Sequence, residues 1–275
     1  MSLMLKLLAI TLLSTSLVHA AATNKQVEDF LSKNFSNNPN IKSVKVSVSS
    51  KAKVKKMPQW SSFIVDVNAE LKNGKNVKQK MIWFSNGVVM ADNLIDMKTQ
   101  KSLKNSVSPK FKAEYYKDEN LIYGDKNSKH KVAIFSDPLC PFCRQYVPEA
   151  IKYMKKQPKK FAIYYYHFPL PALHPAAVEL TKAAIAAELK GEKNVVLNLY
   201  KVKVAGRETN VDKILKEFNK VMGTKITKKD IEDPKVLKHY NQDQEIANDV
   251  MVQGTPTVFF DGAKDRSKKK YLGVK

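Results

Sequence analysis

The sequence has very little cysteine. Only two are present among 275 residues, Cys140 and Cys143. This scarcity excludes a fold held by several disulfides, as in many small secreted domains. A bridge between two residues so close in sequence closes a short loop and removes little entropy from the unfolded chain. A disulfide between these two residues would therefore stabilise the fold very little, and the close spacing favours a role in redox chemistry.

Long apolar runs are missing after the first twenty residues, so no later segment is predicted to span a bilayer, which takes about 20 apolar residues. At the start, Lys6 precedes an apolar stretch over residues 7–18 that several hydroxyl residues interrupt. Val18 and Ala20 then offer small residues at the −3 and −1 positions of a cleavage site. This layout predicts a secretory signal peptide over residues 1–20 rather than a membrane anchor.

Acidic residues are also scarce beside basic ones, 26 against 48, which gives a formal net charge of +22. The lysines are spread over both halves of the chain, and the longest run covers only residues 268–270. Nucleic-acid-binding proteins usually concentrate their basic residues and add a reading motif. We therefore predict a solvated lysine-rich surface and no nucleic-acid partner.

Residues 21–106 are predicted to form a small α+β domain of cystatin-like type. Alternating patterns predict strands over 41–50, 63–71 and 77–85, and Asn-Gly pairs follow the last two as hairpin turns. A helix is predicted over 24–35 because its apolar residues have helical spacing; they are Val27, Phe30, Leu31 and Phe35. The region has neither cysteine nor histidine, so we expect a scaffold or dimerisation domain.

The rest of the chain is predicted to form a linker helix and an α/β domain. Ser108-Pro109 is typical of a helix start and predicts a short linker helix over 107–118. Within 119–275, a strand over 131–136, a helix from 141 and a strand over 161–168 predict a parallel pair with a helical crossover. Helical patterns dominate residues 173–250, and a last strand begins near Val258.

The segment Cys140-Pro141-Phe142-Cys143 follows a predicted strand and begins a predicted helix. The unpaired amide groups and positive end of a helix start stabilise a thiolate, the nucleophile of disulfide exchange. Pro141 suits the first helical position, where a missing N–H costs nothing. We expect Cys140 to be exposed and to react first. Cys143, one turn further, should be buried and should resolve the mixed disulfide.

Two other readings of the cysteine pair are weaker, namely a structural disulfide and a zinc site. Zinc would need two further ligands, and the sequence has no other cysteine and no paired metal spacing among its histidines. We therefore expect neither a metal nor a cofactor.

Thr255-Pro256 stands just ahead of a buried strand, where proline cannot donate a hydrogen bond to the neighbouring strand. A cis bond is favoured over a trans proline at an edge strand, and it would leave the Thr255 backbone free for an extended substrate.

The run Phe135-Ser136-Asp137-Pro138-Leu139-Cys140-Pro141-Phe142-Cys143, followed by a helix and later by Gly254-Thr255-Pro256-Thr257, resembles the periplasmic DsbC/DsbG family of disulfide isomerases. The resemblance covers nearly all of the chain after the signal peptide. It implies a periplasmic, V-shaped homodimer with chaperone activity and thioredoxin-like catalytic domains that carry a helical insert. By the same resemblance Cys140 is the nucleophile, Cys143 resolves, and Thr255 and Pro256 contact substrate. Pro141 and Phe142, between the two cysteines, are expected to tune the redox properties.

One departure from this pattern concerns proton transfer. Thioredoxin carries a buried acid six residues before its first active-site cysteine, and Ile134 stands at that position here, so another group or water must move the proton.

Three functions stay open. The first is an isomerase or reductase of misoxidised exported proteins, kept reduced by a membrane thiol reductase. The second is an oxidase recharged by a membrane oxidase, and the third is a thiol-independent chaperone for unfolded exported proteins.

Overall fold

A computed structural model describes residues 21–55 and 57–274. The predicted signal peptide lies outside the described residues. The chain divides into two compact units, with the boundary between Lys104 and Asn105. None of the helices in the described ranges is long and apolar enough to cross a bilayer.

The first unit consists of a helix followed by an antiparallel sheet. Thr23 caps the helix through a reciprocal pair of bonds with Gln26, which satisfies two amide groups at the helix start. The predicted helix and three main strands are all present, with longer strands than the patterns indicated. The elements are α1 (Asn24–Ser36), β1 (Ile41–Val54), β2 (Met57–Leu71), β3 (Asn76–Ser85) and β4 (Met90–Ala91), with a separate short pair β5 (Ile95–Asp96) and β6 (Lys101–Ser102).

Helix α1 covers the sheet of the first unit with a narrow apolar stripe. Val27 and Leu31 are fully buried against Val46 and Phe63. Phe30 was expected on the same face but is 49% exposed. At 3.6 residues per turn it lies about 80° from the centre of the stripe, so its ring projects past the edge of the contact.

The second unit is built on a five-stranded mixed sheet. Its strands are β7 (Leu121–Tyr123), β8 (His130–Ser136), β9 (Phe161–His167), β10 (Thr257–Phe260) and β11 (Ala263–Lys264), in the order β11-β10-β8-β9-β7. Strands β8 and β9 are parallel and the other pairs are antiparallel. Helix α2 (Pro141–Lys155) joins β8 to β9, which is the predicted parallel pair with its helical crossover.

The residues between β9 and β10 form a layer of helices. Helix α3 (Ala176–Leu189) is buried along most of its length, and its alanines allow close packing in a cluster with the following helices. Asn210 and Gly223 begin and end helix α5 (Val211–Met222) as predicted, through a side-chain cap and a left-handed backbone. The other helices are α4 (Val195–Leu199), α6 (Lys228–Ile231) and α7 (Pro234–Asp249).

The predicted linker helix over residues 107–118 is wrong. The segment contains a 3-10 turn at Ala113–Tyr115, and a second turn begins at Asp118. Phe111 explains the difference, because its ring is 3% exposed and packs on the rings of Tyr166 and Phe259, each 5.4 Å away. Its N–H also donates to Gly262 O. The segment is therefore part of the second unit, and its tertiary contacts outweigh the local helix signal.

Candidate active site

The two cysteines lie at the start of α2, directly beyond the end of β8. Cys140 caps the helix with an extended backbone (φ −66°, ψ 123°), and Pro141 is the first helical residue. The carbonyl of Cys140 accepts a hydrogen bond from Arg144 N at 3.0 Å. Cys140 thus occupies the predicted position at the helix start, and its side chain makes no capping hydrogen bond to the helix amides.

The exposure of the two thiols differs from the expectation in degree. Cys140 was expected to be exposed but is only 6% exposed, because it packs in the same apolar cluster as Cys143 and Val258. Cys143 is fully buried, as expected, and Phe142 between them is 73% exposed. The first cysteine therefore keeps a small accessible fraction, and the second keeps none.

The buried position of Cys143 controls its ionisation. Burial raises the pKa of the Cys143 thiol to about 12, although hydrogen bonding to the hydroxyls of Ser136 and Thr255 acts in the opposite direction. Both cysteines are free thiols. With this pKa, Cys143 is protonated at neutral pH, so it must lose a proton before it can attack a disulfide.

The Thr255-Pro256 loop faces the first cysteine. The Thr255-Pro256 peptide bond is cis, as predicted. Pairing of Thr257 with Phe135 fixes the loop beside the end of β8, and the Cys140 thiol lies 3.7 Å from Thr255 O. The sequence-predicted residues Cys140, Cys143 and Thr255 are therefore close together, whereas contact of this loop with a substrate stays a prediction.

Asp137 is a site residue to which the sequence reasoning gave no role. It is fully buried, and each carboxylate oxygen accepts two hydrogen bonds. One oxygen accepts from Leu139 N at 2.7 Å and Cys140 N at 3.2 Å. The other accepts from Leu170 N at 2.8 Å and His174 Nδ1 at 3.0 Å. Asp137 thereby holds the turn that presents Cys140, and an aspartate two residues before a bonded amide is a recognisable Asx turn.

A cluster of three buried hydroxyls lies beside Cys143, and the sequence did not reveal it. Ser136 Oγ is 2.6 Å from Tyr200 OH, which is 2.8 Å from Tyr165 OH. The guanidinium of Arg144 donates to the carbonyls of Tyr200 and Val202 at 3.2 and 2.7 Å, so it fixes the backbone that carries the tyrosine. We refer to Ser136, Tyr200 and Tyr165 as the hydroxyl cluster.

The histidines have carboxylate neighbours at several separate places. His174 bonds Asp137, His130 lies 2.8 Å from Asp261, and His239 lies 3.8 Å from the buried Asp243. Among the residues that the structure describes, no group of three histidine, cysteine, aspartate or glutamate side chains is arranged to hold a metal ion.

Comparison with known proteins gives one family match. The family model described as Thioredoxin matches residues 117–274, which is more than half of the chain. No relative was found among the curated proteins.

Solved structures that resemble this chain include a thioredoxin-like oxidoreductase from Silicibacter pomeroyi, with 20% identity, a TM-score of 0.46, and coverage of 58% of this chain and 92% of that one. A periplasmic thioredoxin-like protein from Salmonella enterica serovar Typhimurium has 22% identity and a TM-score of 0.47, with coverage of 58% and 91%. BdbD from Bacillus subtilis has 14% identity and a TM-score of 0.47, with coverage of 60% and 92%.

Proposed function

The chain belongs to the thioredoxin family and is a thiol:disulfide oxidoreductase, and on that premise we propose that it isomerises or reduces wrong disulfides of exported proteins. One observation carries the proposal. Cys140 stands at the start of α2, 3.7 Å from Thr255 O on the cis-proline loop, with the buried Cys143 one turn further along the helix. This arrangement combines an attacking thiol, a backbone edge for an extended client and a second thiol that can close the reaction.

The exchange proceeds through a mixed disulfide. The Cys140 thiolate attacks one sulfur of a client disulfide, a new sulfur–sulfur bond forms, and the other client sulfur leaves as a thiolate. In isomerisation that thiolate attacks elsewhere in the client, and a client thiolate finally displaces Cys140, which returns unchanged. In net reduction Cys143 attacks instead, and the Cys140–Cys143 disulfide forms as the client gains two electrons. A membrane thiol reductase would then return both cysteines to the reduced state.

The neighbouring residues take supporting roles in this proposal. Thr255 and Pro256 contact the client, whose extended backbone replaces the weak thiol contact to Thr255 O. Pro141 and Phe142 adjust the redox potential because they form the first turn of the helix that begins at the reacting cysteine, where the helix dipole favours a negative charge. The exposed ring of Phe142 offers an apolar contact for an unfolded client.

The first unit is proposed to join two copies of the chain, and the predicted signal peptide would place the dimer in the periplasm. The first unit leaves several apolar side chains open to solvent, which is what a dimerisation surface requires. They are Phe30, Val88, Val89, Ile95 and Met97, with exposures from 49% to 94%. A dimer could also hold unfolded clients without thiol chemistry, which is the chaperone activity that the family resemblance implies.

The redox state of the cysteine pair in living cells tests the direction of exchange. Cells are quenched in acid and treated with a reagent that adds mass to each free thiol. We expect the protein to carry two added groups, with the Cys143→Ser variant as the one-thiol standard. An unmodified, fully oxidised protein would contradict the isomerase or reductase role and would favour an oxidase that donates its disulfide.

A double variant separates thiol chemistry from chaperone activity. Replacing Cys140 and Cys143 by serine should abolish the recovery of a client refolded with scrambled disulfides. Suppression of client aggregation by the same variant is expected to persist. If the double variant still rescued the scrambled client, the thiols would not carry the function.

A further inference from the structure

The hydroxyl cluster occupies the place where the resolving thiol must lose its proton. Ser136 and Tyr165 lie on the parallel strands β8 and β9, and Tyr200 follows α4 in the helical layer. All three side chains are buried. Thioredoxin's acid is replaced by the apolar Ile134. Tyr165 and Tyr200 pack in the same buried cluster as Cys143. The polar groups that contact the Cys143 sulfur are hydroxyls and the backbone of Asp137 rather than a side-chain carboxylate.

A thiolate at Cys143 needs hydrogen-bond donors because it forms in a buried setting. An isolated buried anion is strongly disfavoured, and donors aimed at it offset part of that penalty. Hydrogen bonds from Ser136 and Thr255 lower the pKa of Cys143 against the larger effect of burial. The Thr255 hydroxyl has no hydrogen-bond partner among the described residues other than this sulfur. Ser136, by contrast, is held by a chain of two tyrosines.

The tyrosines can turn all the protons of the cluster toward the sulfur. Burial raises the pKa of both Tyr165 and Tyr200 above their ordinary value, so both phenols stay protonated. Tyr165 can then donate to Tyr200, Tyr200 to Ser136, and Ser136 to the sulfur. A chain with donors aligned in one direction strengthens each bond in it. When Cys143 is a thiol, the hydroxyl of Ser136 can rotate and accept instead.

We propose that Ser136 is a catalytic residue whose hydroxyl donates a hydrogen bond to the Cys143 thiolate, with Tyr200 and Tyr165 as positioning residues. This inference rests on the proposed exchange function and deepens it. In the resolving step, the Cys143 sulfur forms a bond to the Cys140 sulfur as the bond from Cys140 to the client breaks. The electron pair of the broken bond leaves with the client sulfur. The proton that Cys143 has lost is balanced by the proton that the client thiolate takes up.

The test uses oxidised glutathione, so that it is independent of any protein client. The reduced purified protein is mixed with the reagent, quenched in acid at intervals and weighed by mass spectrometry. The first step appears as the Cys140–glutathione mixed disulfide, and the second as its conversion to the Cys140–Cys143 disulfide. Ser136→Ala and Tyr200→Phe are compared with Tyr123→Phe, a matched control that loses only a phenol bond to Lys155 O. Tyr200→Phe keeps the ring and therefore the packing of the core.

We expect the first step to be unchanged in all variants. The second step should be about tenfold slower in Ser136→Ala and Tyr200→Phe at every pH between about 7 and 9, because one donor to a charged acceptor is lost. Tyr123→Phe should match the wild type in both steps.

The second step keeping its wild-type rate in both cluster variants would overturn the proposal. An equal slowing of the two steps would do the same, since it would indicate a general structural effect. If the wild type itself formed no Cys140 mixed disulfide, the proposed function would fail together with the inference.

Discussion

Replacement of Asp137 by asparagine removes half of the hydrogen-bond acceptors that hold the active-site turn. The two carboxylate oxygens accept from Leu139 N and Cys140 N on one side and from Leu170 N and His174 Nδ1 on the other. Asparagine has nearly the same shape but only one acceptor oxygen, and its NH2 group would face two of these N–H groups. Each unmet buried donor costs about 1–3 kcal/mol. We therefore expect Asp137→Asn to lower the free energy of unfolding by about 2–6 kcal/mol.

The expected loss in the free energy of unfolding can be assigned to the second unit, because tryptophan and tyrosine residues lie in different units. Both tryptophans, Trp60 and Trp83, precede the boundary at Lys104, and all 11 tyrosines follow it. Urea unfolding followed by tyrosine signals thus reports the second unit, and tryptophan fluorescence reports the first. Typical urea slopes of about 1–3 kcal/mol per molar convert the expected loss into a midpoint shift of roughly 1 M or more.

A matched control is available on the surface of the same unit. Asp212 is 73% exposed and pairs with Lys228 at 2.7 Å, and exposed pairs contribute about 0–1 kcal/mol. Asp212→Asn should therefore leave the tyrosine-detected midpoint almost unchanged. A loss below about 1 kcal/mol in Asp137→Asn would refute the assignment of Asp137 as the acceptor that organises the turn.

Two further predictions concern a buried acid and two glycines of the second unit. Burial raises the pKa of Asp243 to about 7, above its unfolded value of about 3.9. The stability that this group contributes is therefore fully present below about pH 4 and is lost as pH rises through 7. The stability of Asp243→Asn relative to the wild type should thus improve between about pH 5 and pH 8 in urea titrations, and a constant difference would contradict the buried-acid assignment.

Gly124 and Gly223 both have positive φ, +83° and +70°, but a Cβ at Gly124 would lie 2.0 Å from Phe161 O, whereas Gly223 has open space. Gly124→Ala should lower the free energy of unfolding by more than about 3 kcal/mol or prevent folding, while Gly223→Ala should lower it by about 1–2 kcal/mol. Equal losses of the two variants in urea unfolding would show that the steric contact with Phe161 O is not the cause.

Local signals in the sequence predicted the elements that local chemistry determines. Helix α5 could be placed from its cap at Asn210 and its stop at Gly223, because both act within one helical turn. The prediction of a linker helix was wrong for the opposite reason, because Phe111 packs in the core against residues more than twenty positions away in the sequence. The cysteine pair was found because its spacing and helix-start position are visible in sequence, whereas the near-complete burial of Cys140 depends on β10 packing beside it.

The remainder of the candidate site depends on long-range contacts. Tyr200 meets Ser136 across 64 residues of sequence, and only folding of the helical layer brings its phenol to the end of β8. No periodicity or motif marks such a tyrosine. Asp137 is different, because an aspartate placed to accept from the amides two and three residues later is a known turn signal, and its role in the turn could have been predicted.

The central claim is that Cys140 attacks the client disulfide and Cys143 resolves the mixed disulfide, and single serine variants test it most directly. Each variant is incubated with a client whose disulfides have been scrambled, and covalent complexes are counted on a non-reducing gel. Cys143→Ser should accumulate a mixed disulfide through Cys140, since the resolving thiol is absent. Cys140→Ser should form none, because Cys143 is buried and protonated. A complex of equal yield with Cys140→Ser would contradict the account, as would the absence of any complex with Cys143→Ser.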